Sequence, residues 1–261
     1  MKKKLYHLML ELTHNRMYTA TLRRFTQSKA SKWLIPSFVR TFNINTEELA
    51  IDMNRFSSLS EFFTRQLKEN SRTVSTRTDD IISPVDGVLK EAGRITKDKQ
   101  FLVKGKSHSL QTMLGLDSAV DRFKNGHYCV LYLSPKDYHR IHSPCKGKII
   151  RRWALGTYSE PVNSMGLFYG QEPLATNYRL ITELEHRHKR VAIVKVGALN
   201  VNSVHPSQLE STVDKGEEMA YFSFGSTVIL LFEENVMAFN NTILQGELEV
   251  KQGESIGTWM E

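Results

Sequence analysis

From about residue 80 onward the chain reads as short apolar, β-branched runs bounded by Gly, Pro, Asn and Ser, the pattern of strands joined by turns. The runs at 81–90, 127–133, 146–153, 190–198, 219–224, 227–232 and 245–250 predict strands. A different kind of sequence lies ahead of them. Ser58 and Glu61 form Ser-x-x-Glu before Phe62, Phe63 and Leu67, a capping box that predicts a helix over 58–68. The polar stretch SRTVSTRTDD after Asn70 reads as a linker. The expected fold class is α+β, with N-terminal amphipathic helices over residues 1–70 and a β-rich domain over 71–261 whose core is mainly antiparallel.

Charge divides the chain in the same way. The formal net charge is +7, yet residues 1–40 hold nine Lys and Arg against Glu11 alone, so the remainder is close to neutral. Leu5, Leu8, Met9 and Leu12 recur at helical spacing within this basic stretch, and Leu22, Phe25, Trp33, Leu34, Phe38 and Phe42 follow. Such a segment suits an anionic lipid surface, where each Lys or Arg contributes about 1 kcal/mol and the apolar face adds burial. The alternative is that these helices pack on the body and leave a solvated basic face. His7 and Glu11 interrupt the first apolar run, so it does not read as a signal peptide. Apolar runs such as Val228 to Phe232 are far short of the roughly 18 residues of a membrane span. Cys129 and Cys145 are too few for a disulfide framework and fit a reducing compartment. The expected location is peripheral, at the cytoplasmic face of a membrane, and no nucleic-acid partner is expected because the body is not basic.

Two stretches sixty residues apart, Ser83 to Leu89 and Ser143 to Ile149, both read SPxxGx followed by an aliphatic residue. They read either as equivalent corners of a pseudo-symmetric β core or as two ordinary strand-entry turns. Beside the second lies SPKDYHRIHSP (134–144), in which Ser134, Pro135 and Asp137 predict a short helix that Pro144 ends. His139 and His142, three apart, would share a face of it. Taken alone they read as structural histidines or as a functional pair. No metal site is expected, since neither a His-Glu-x-x-His frame nor a Cys pair accompanies them. In MAYFSFGSTVILLF (219–232), Gly225, Ser226 and Thr227 interrupt an otherwise apolar run, as a bulge or a functional site would. Asp86, His142 and Ser226 together supply a carboxylate, an imidazole and a hydroxyl, the types needed to activate a nucleophile.

The blocks SPVDG (83–87), YLSPKDYHRIHSPCKG (132–147) and FGST (224–227), with FSSLSEFFTRQLK (56–68) ahead of them, closely resemble the phosphatidylserine decarboxylases, a pyruvoyl-dependent family. Phe224 stands where that family more often has Leu, and Leu199 and Asn202 in VGALNVNSV (196–204) replace its Thr and Gly. The resemblance implies that Ser226, activated by His142 and oriented through Asp86, attacks the carbonyl of Gly225 and converts the peptide bond to an ester. Elimination and loss of ammonia would then leave a β chain, 1–225, and an α chain, 226–261, whose first residue is a pyruvoyl group. It further implies a Schiff base between that covalent cofactor and phosphatidylserine, release of carbon dioxide, and proton donation by His139 to give phosphatidylethanolamine. The implied partners are phosphatidylserine, an anionic membrane, and the β and α chains as a heterodimer, alone or assembled further. Two rival readings are a serine hydrolase using Asp86, His142 and Ser226, although no GxSxG surrounds the serine, and a non-catalytic lipid-surface module. His108 reads as structural, and His186, His188 and His205 as surface residues.

Overall fold

A computed structural model of the chain describes residues 16–103, 105–156, 162, 172–197, 204–223 and 226–261. The apolar series Leu5 to Leu12 lies outside the described residues, as do Leu199, Asn202, Phe224 and Gly225. Helix α1 (Arg16–Gln27), a 3-10 turn (Lys29–Leu34) and α2 (Ile35–Phe42) lead through an extended segment to the short α3 (Leu59–Phe63). Pro36 lies in the first turn of α2, and Asn43 ends that helix in the left-handed conformation, φ 52°. Ile35, Ile44, Leu49, Phe56 and Phe62 form an apolar cluster of their own. The buried Ser31 ties the layer together, donating to Thr26 O (2.8 Å) and accepting from Leu59 N (2.9 Å).

Helix α3 is shorter than the expected 58–68. Ser58 caps it by accepting from Glu61 N at 3.2 Å, and the Glu61 carboxylate reaches back to Ser57 N at 2.7 Å. Beyond Phe63 the backbone pairs with residues 48–50 instead, through Ala50 N to Gln66 O (3.0 Å) and Lys68 N to Glu48 O (2.9 Å). A tertiary ladder has overridden helix propensity there.

The body contains β1 (Asp80–Ile82), β2 (Gly87–Arg94), β3 (Gln100–Val103), β4 (Lys106–Ser109), β5 (His127–Leu133), β6 (Arg140–His142) and β7 (Gly147–Leu155). After these come β8 (Arg179–His186), β9 (Lys189–Gly197), β10 (Val204–Pro206), β11 (Thr212–Val213) and β12 (Glu218–Phe222). The last four are β13 (Ser226–Phe232), β14 (Met237–Phe239), β15 (Leu248–Val250) and β16 (Ser255–Trp259). An eight-stranded sheet runs β11-β7-β8-β9-β13-β5-β2-β15, and its pairings are antiparallel. One face packs on two small sheets, β1-β16-β14 and β10-β12-β6. The β3-β4 hairpin and helices α4 (Leu110–Leu114), α5 (Asp117–Phe123) and α6 (Pro173–Thr176) cover the other. Both faces of the central strands are buried, which is why 228–232 is apolar throughout. Strand β8 escaped the sequence reading because it buries charge. Its Glu183 is enclosed by Arg151 (2.6 Å), Arg122 and Arg190, and Arg179 donates to Met113 O at 2.7 Å.

The two SPxxG corners are structurally equivalent. Ser83 Oγ donates to Val85 O (2.7 Å), as Ser143 Oγ does to Cys145 O (2.6 Å). The corners also exchange bonds, Ile82 N donating to Pro144 O (3.0 Å) and His142 N to Pro84 O (2.8 Å). The strands leaving them break register at the same step, after Leu89 in β2 and after Ile149 in β7. A pseudo-twofold axis therefore passes between β9 and β13. Its second half is DKGEEM (214–219) against KQGESI (251–256), where Gly216 and Gly253 both adopt positive φ, 80° and 95°.

Candidate active site

Two connections link the large sheet to the β10-β12-β6 sheet. Residues 134–139 join β5 to β6, and residues 223–225 join β12 to β13. They are fastened at both ends, by the pairing of Ser226 with Leu133 and by a 2.9 Å bond from Phe222 N to His139 O. Ser226 opens β13 with Leu133 on one side and Gly197 on the other. The described residues on either side of the expected cleavage position, Phe222 and Ser226, are thereby tied to the ends of the segment that carries His139.

That segment is a turn followed by a strand, not the expected helix. Asp137 does serve Ser134, accepting from its N (2.7 Å) and Oγ (2.8 Å), but the chain then extends because β6 pairs with β12. His139 and His142 consequently do not share a helical face. They lie at successive points along an extended chain and meet different partners.

His139 is completely buried, its ring against Phe63 with centroids 4.0 Å apart. Its Nδ1 is 2.8 Å from Asp137 O. A carbonyl only accepts, so Nδ1 carries the hydrogen and Nε2 presents a lone pair. Nε2 is buried without a partner among the described residues. Burial, with a smaller contribution from Arg65, pushes the imidazole pKa down to about 3, against the opposing effect of the Asp137 carbonyl.

His142 is oriented in the same way by Gly216, whose carbonyl lies 2.8 Å from Nδ1. Its Nε2 faces the Tyr138 hydroxyl at 3.4 Å, a long contact that leaves the lone pair weakly engaged. Burial lowers this pKa as well, keeping the ring a neutral base. Asp86, expected to orient His142, is otherwise occupied. Arg72 Nε lies 2.9 and 3.1 Å from its two oxygens, Arg72 Nη2 is 2.5 Å from Oδ2, and Gln252 N donates to Oδ1 at 2.9 Å. Arg72 Nη2 also donates to Glu48 at 2.8 Å, and Nη1 to Ser71 O at 2.6 Å. The carboxylate therefore acts on His142 through its charge, which favours the imidazolium.

Arg72, Gly216 and Arg65 were missed in the sequence reading. The Gly216 signal was present in the second half of the internal repeat, and Arg65 lay within FFTRQLK. Of the other histidines, His108 is buried and stacked on Phe101 as a structural residue. His186 is also buried, stacked on Trp259, which corrects its reading as a surface residue. His205 is half-buried, stacked on Tyr221 with Nε2 3.3 Å from Ser223 Oγ. Among the described residues no cluster of three His, Cys, Asp or Glu is placed to hold a metal ion.

Comparison with known proteins bears directly on this arrangement. The family model for phosphatidylserine decarboxylase matches residues 59–258, which include Asp86, His139, His142 and Ser226. The chain belongs to the phosphatidylserine decarboxylase family. It is 46% identical over 260 residues to the phosphatidylserine decarboxylase proenzyme of Halalkalibacterium halodurans, covering 100% of both chains. The corresponding proenzymes of Bacillus anthracis and Bacillus mycoides are 46% identical over 258 residues, 99% of this chain and 98% of theirs. Besides its buried centre, this decarboxylase-family chain has an apolar and basic outer surface. Trp33 is 87% exposed and Leu22 and Phe25 44% each, among the exposed Arg23, Arg24, Lys29 and Lys32. No described helix is long and apolar enough to cross a membrane.

Proposed function

We propose that the protein decarboxylates phosphatidylserine to phosphatidylethanolamine after cutting itself between Gly225 and Ser226, with Ser226 becoming a pyruvoyl group. The observation that carries this is that the residues flanking the junction are tied to the flanks of the histidine segment, Ser226 to Leu133 and Phe222 N to His139 O. In self-cleavage, His142 Nε2 takes the Ser226 hydroxyl proton while the Gly216 carbonyl holds the ring and Asp86 stabilises its charged form. Asp86 is itself kept in place by Arg72 and Gln252 N–H.

The surroundings fit a ketone that reacts with a primary amine, because the buried, unpartnered Nε2 of His139 offers a proton acceptor there. When formed, the pyruvoyl group supplies an electron sink for the charge left as carbon dioxide departs. His139 Nε2 takes a proton from the incoming ammonium and returns it to the carbon that has lost its carboxylate. Phe63 packs on the ring, whose complete burial keeps water from it. The α chain, 226–261, stays attached to the β chain after the cut. Its first strand, β13, is paired along its length with both β5 and β9, while β15 and β16 pair with β2 and β1. No observation favours a serine hydrolase. Purified protein is expected to release labelled carbon dioxide from carboxyl-labelled phosphatidylserine in detergent micelles, and a processed, folded preparation that releases none would defeat this reading.

The exposed aromatics and cations of residues 22–42 support docking on the cytoplasmic face of an anionic membrane, where the lipid headgroup is reached. Removing residues 1–40, or raising salt from 0.1 to 1 M, is expected to weaken binding to phosphatidylserine vesicles at least tenfold while self-cleavage continues. Vesicle flotation at equal lipid concentration checks this, and unchanged binding by the truncated protein would refute the docking surface.

A further inference from the structure

The FFTR segment at the end of α3 makes contacts through Arg65 that the chemistry above does not use. Phe63 packs on His139, and the Arg65 guanidinium lies over the Phe62 ring at 5.4 Å. Arg65 is only 4% exposed. Its Nη2 donates to Lys136 O at 2.6 Å and to Asp137 O at 3.0 Å. The second of these carbonyls is the one that accepts from His139 Nδ1. We propose that Arg65 is a positioning residue for His139, fixing through the Asp137 carbonyl the ring orientation and tautomer that leave Nε2 free to carry a proton during decarboxylation. This rests on the decarboxylase reading given above.

A carbonyl oxygen has two acceptor positions, and here Arg65 fills one and His139 the other, so the oxygen cannot turn away from the ring. An arginine does this without being deprotonated itself, because its charge persists at neutral pH. Burial without a carboxylate in direct contact makes the guanidinium costly, with its pKa lowered to about 10, so its retention at this place calls for a reason beyond folding. A second consequence concerns the transferred proton. The charged groups that act on His139 are Arg65, which disfavours the imidazolium, and Asp86, which favours it. Asp137 turns its carboxylate to Ser134, and Phe63 and the Phe222 backbone contribute no charge. A proton accepted at Nε2 is therefore held loosely and passed on.

Removing Arg65 raises the His139 pKa, because a nearby positive charge is lost. The neutral ring needed to accept a proton is then lost at a higher pH as acidity increases. The test uses full-length, self-processed protein as wild type, Arg65→Gln and Arg65→Lys. Fragment yield, kcat and KM against pH are measured in phosphatidylserine micelles, together with the nitrogen-15 shifts of His139 in histidine-labelled protein. For Arg65→Gln we expect normal fragments, kcat down ten- to a hundredfold at neutral pH, KM changed less than threefold and the acid limb displaced upward. The His139 nitrogens should show mixed tautomers, and Arg65→Lys should recover part of kcat. A wild-type tautomer signal and an undisplaced acid limb in Arg65→Gln would overturn the proposal, as would a kcat loss matched by equal loss of cleavage. Wild-type protein that cleaves but releases no carbon dioxide would instead sink the decarboxylase reading. The tautomer measurement would still decide the Arg65 contact.

Discussion

Ser226→Ala protein is expected to remain a single 261-residue chain and to release no carbon dioxide, whereas the wild type separates under denaturing conditions into pieces of 225 and 36 residues. The wild-type 36-residue piece should be lighter by one ammonia than a peptide beginning with serine, because hydrolysis of the eliminated serine exchanges its nitrogen for a ketone oxygen. Alanine has no hydroxyl to attack the Gly225 carbonyl, so the loss should be complete rather than partial. Folding gives no competing explanation. The backbone of residue 226 pairs with Leu133 and Gly197 whichever side chain it carries, so the thermal unfolding of the variant should stay within a few degrees of wild type. Intact mass spectrometry of both proteins decides the matter. A wild-type spectrum with one uncut chain, or a cut Ser226→Ala protein, would show that Ser226 is not the source of the new terminus.

His139→Ala should separate the two reactions, leaving self-cleavage intact and lowering decarboxylation about 100- to 10,000-fold, the usual contribution of a positioned proton carrier. His142→Ala should block cleavage, and with it everything downstream. The difference arises from the hydrogen bonds. The His142 base is oriented by Gly216 in the corner it shares with Asp86, while the His139 base is oriented by Asp137 and walled by Phe63. Removing the buried ring of His139 leaves a cavity that costs roughly 2–4 kcal/mol of stability. Because of that cost, His139→Gln, which keeps most of the volume, should accompany it. Cleavage and decarboxylation falling together in both His139 variants would refute the division of labour.

Parts of this architecture were legible in the sequence because they rest on local periodicity. Strand β5 is an uninterrupted apolar run, and its expected bounds, 127–133, are those observed. The SPxxG repeat was visible because a proline-fixed turn and a serine that bonds two residues onward are local devices, so equal sequences made equal corners. Its other half was overlooked, since DKGEEM and KQGESI share little beyond Gly-Glu, and what they share in space is a left-handed glycine. The His139 segment misled for an instructive reason. Ser134 and Asp137 use the same hydrogen bonds that begin a helix, and local chemistry alone cannot register that β12 is waiting to pair with residues 140–142.

By itself, then, the sequence determined the α+β class, the basic and aromatic N-terminal stretch, and the residues with which chemistry could be done: Asp86, His139, His142 and Ser226. Only the tertiary structure decided which of these groups bond to which neighbours. Gly216 lies 74 residues from His142, Gln252 lies 166 from Asp86, and Arg65 lies 72 from Asp137. A hydrogen bond is set by distances of a few tenths of an ångström and by direction. Those are fixed when strands from distant parts of the chain pair and bury their connections, and no local pattern of residues encodes them.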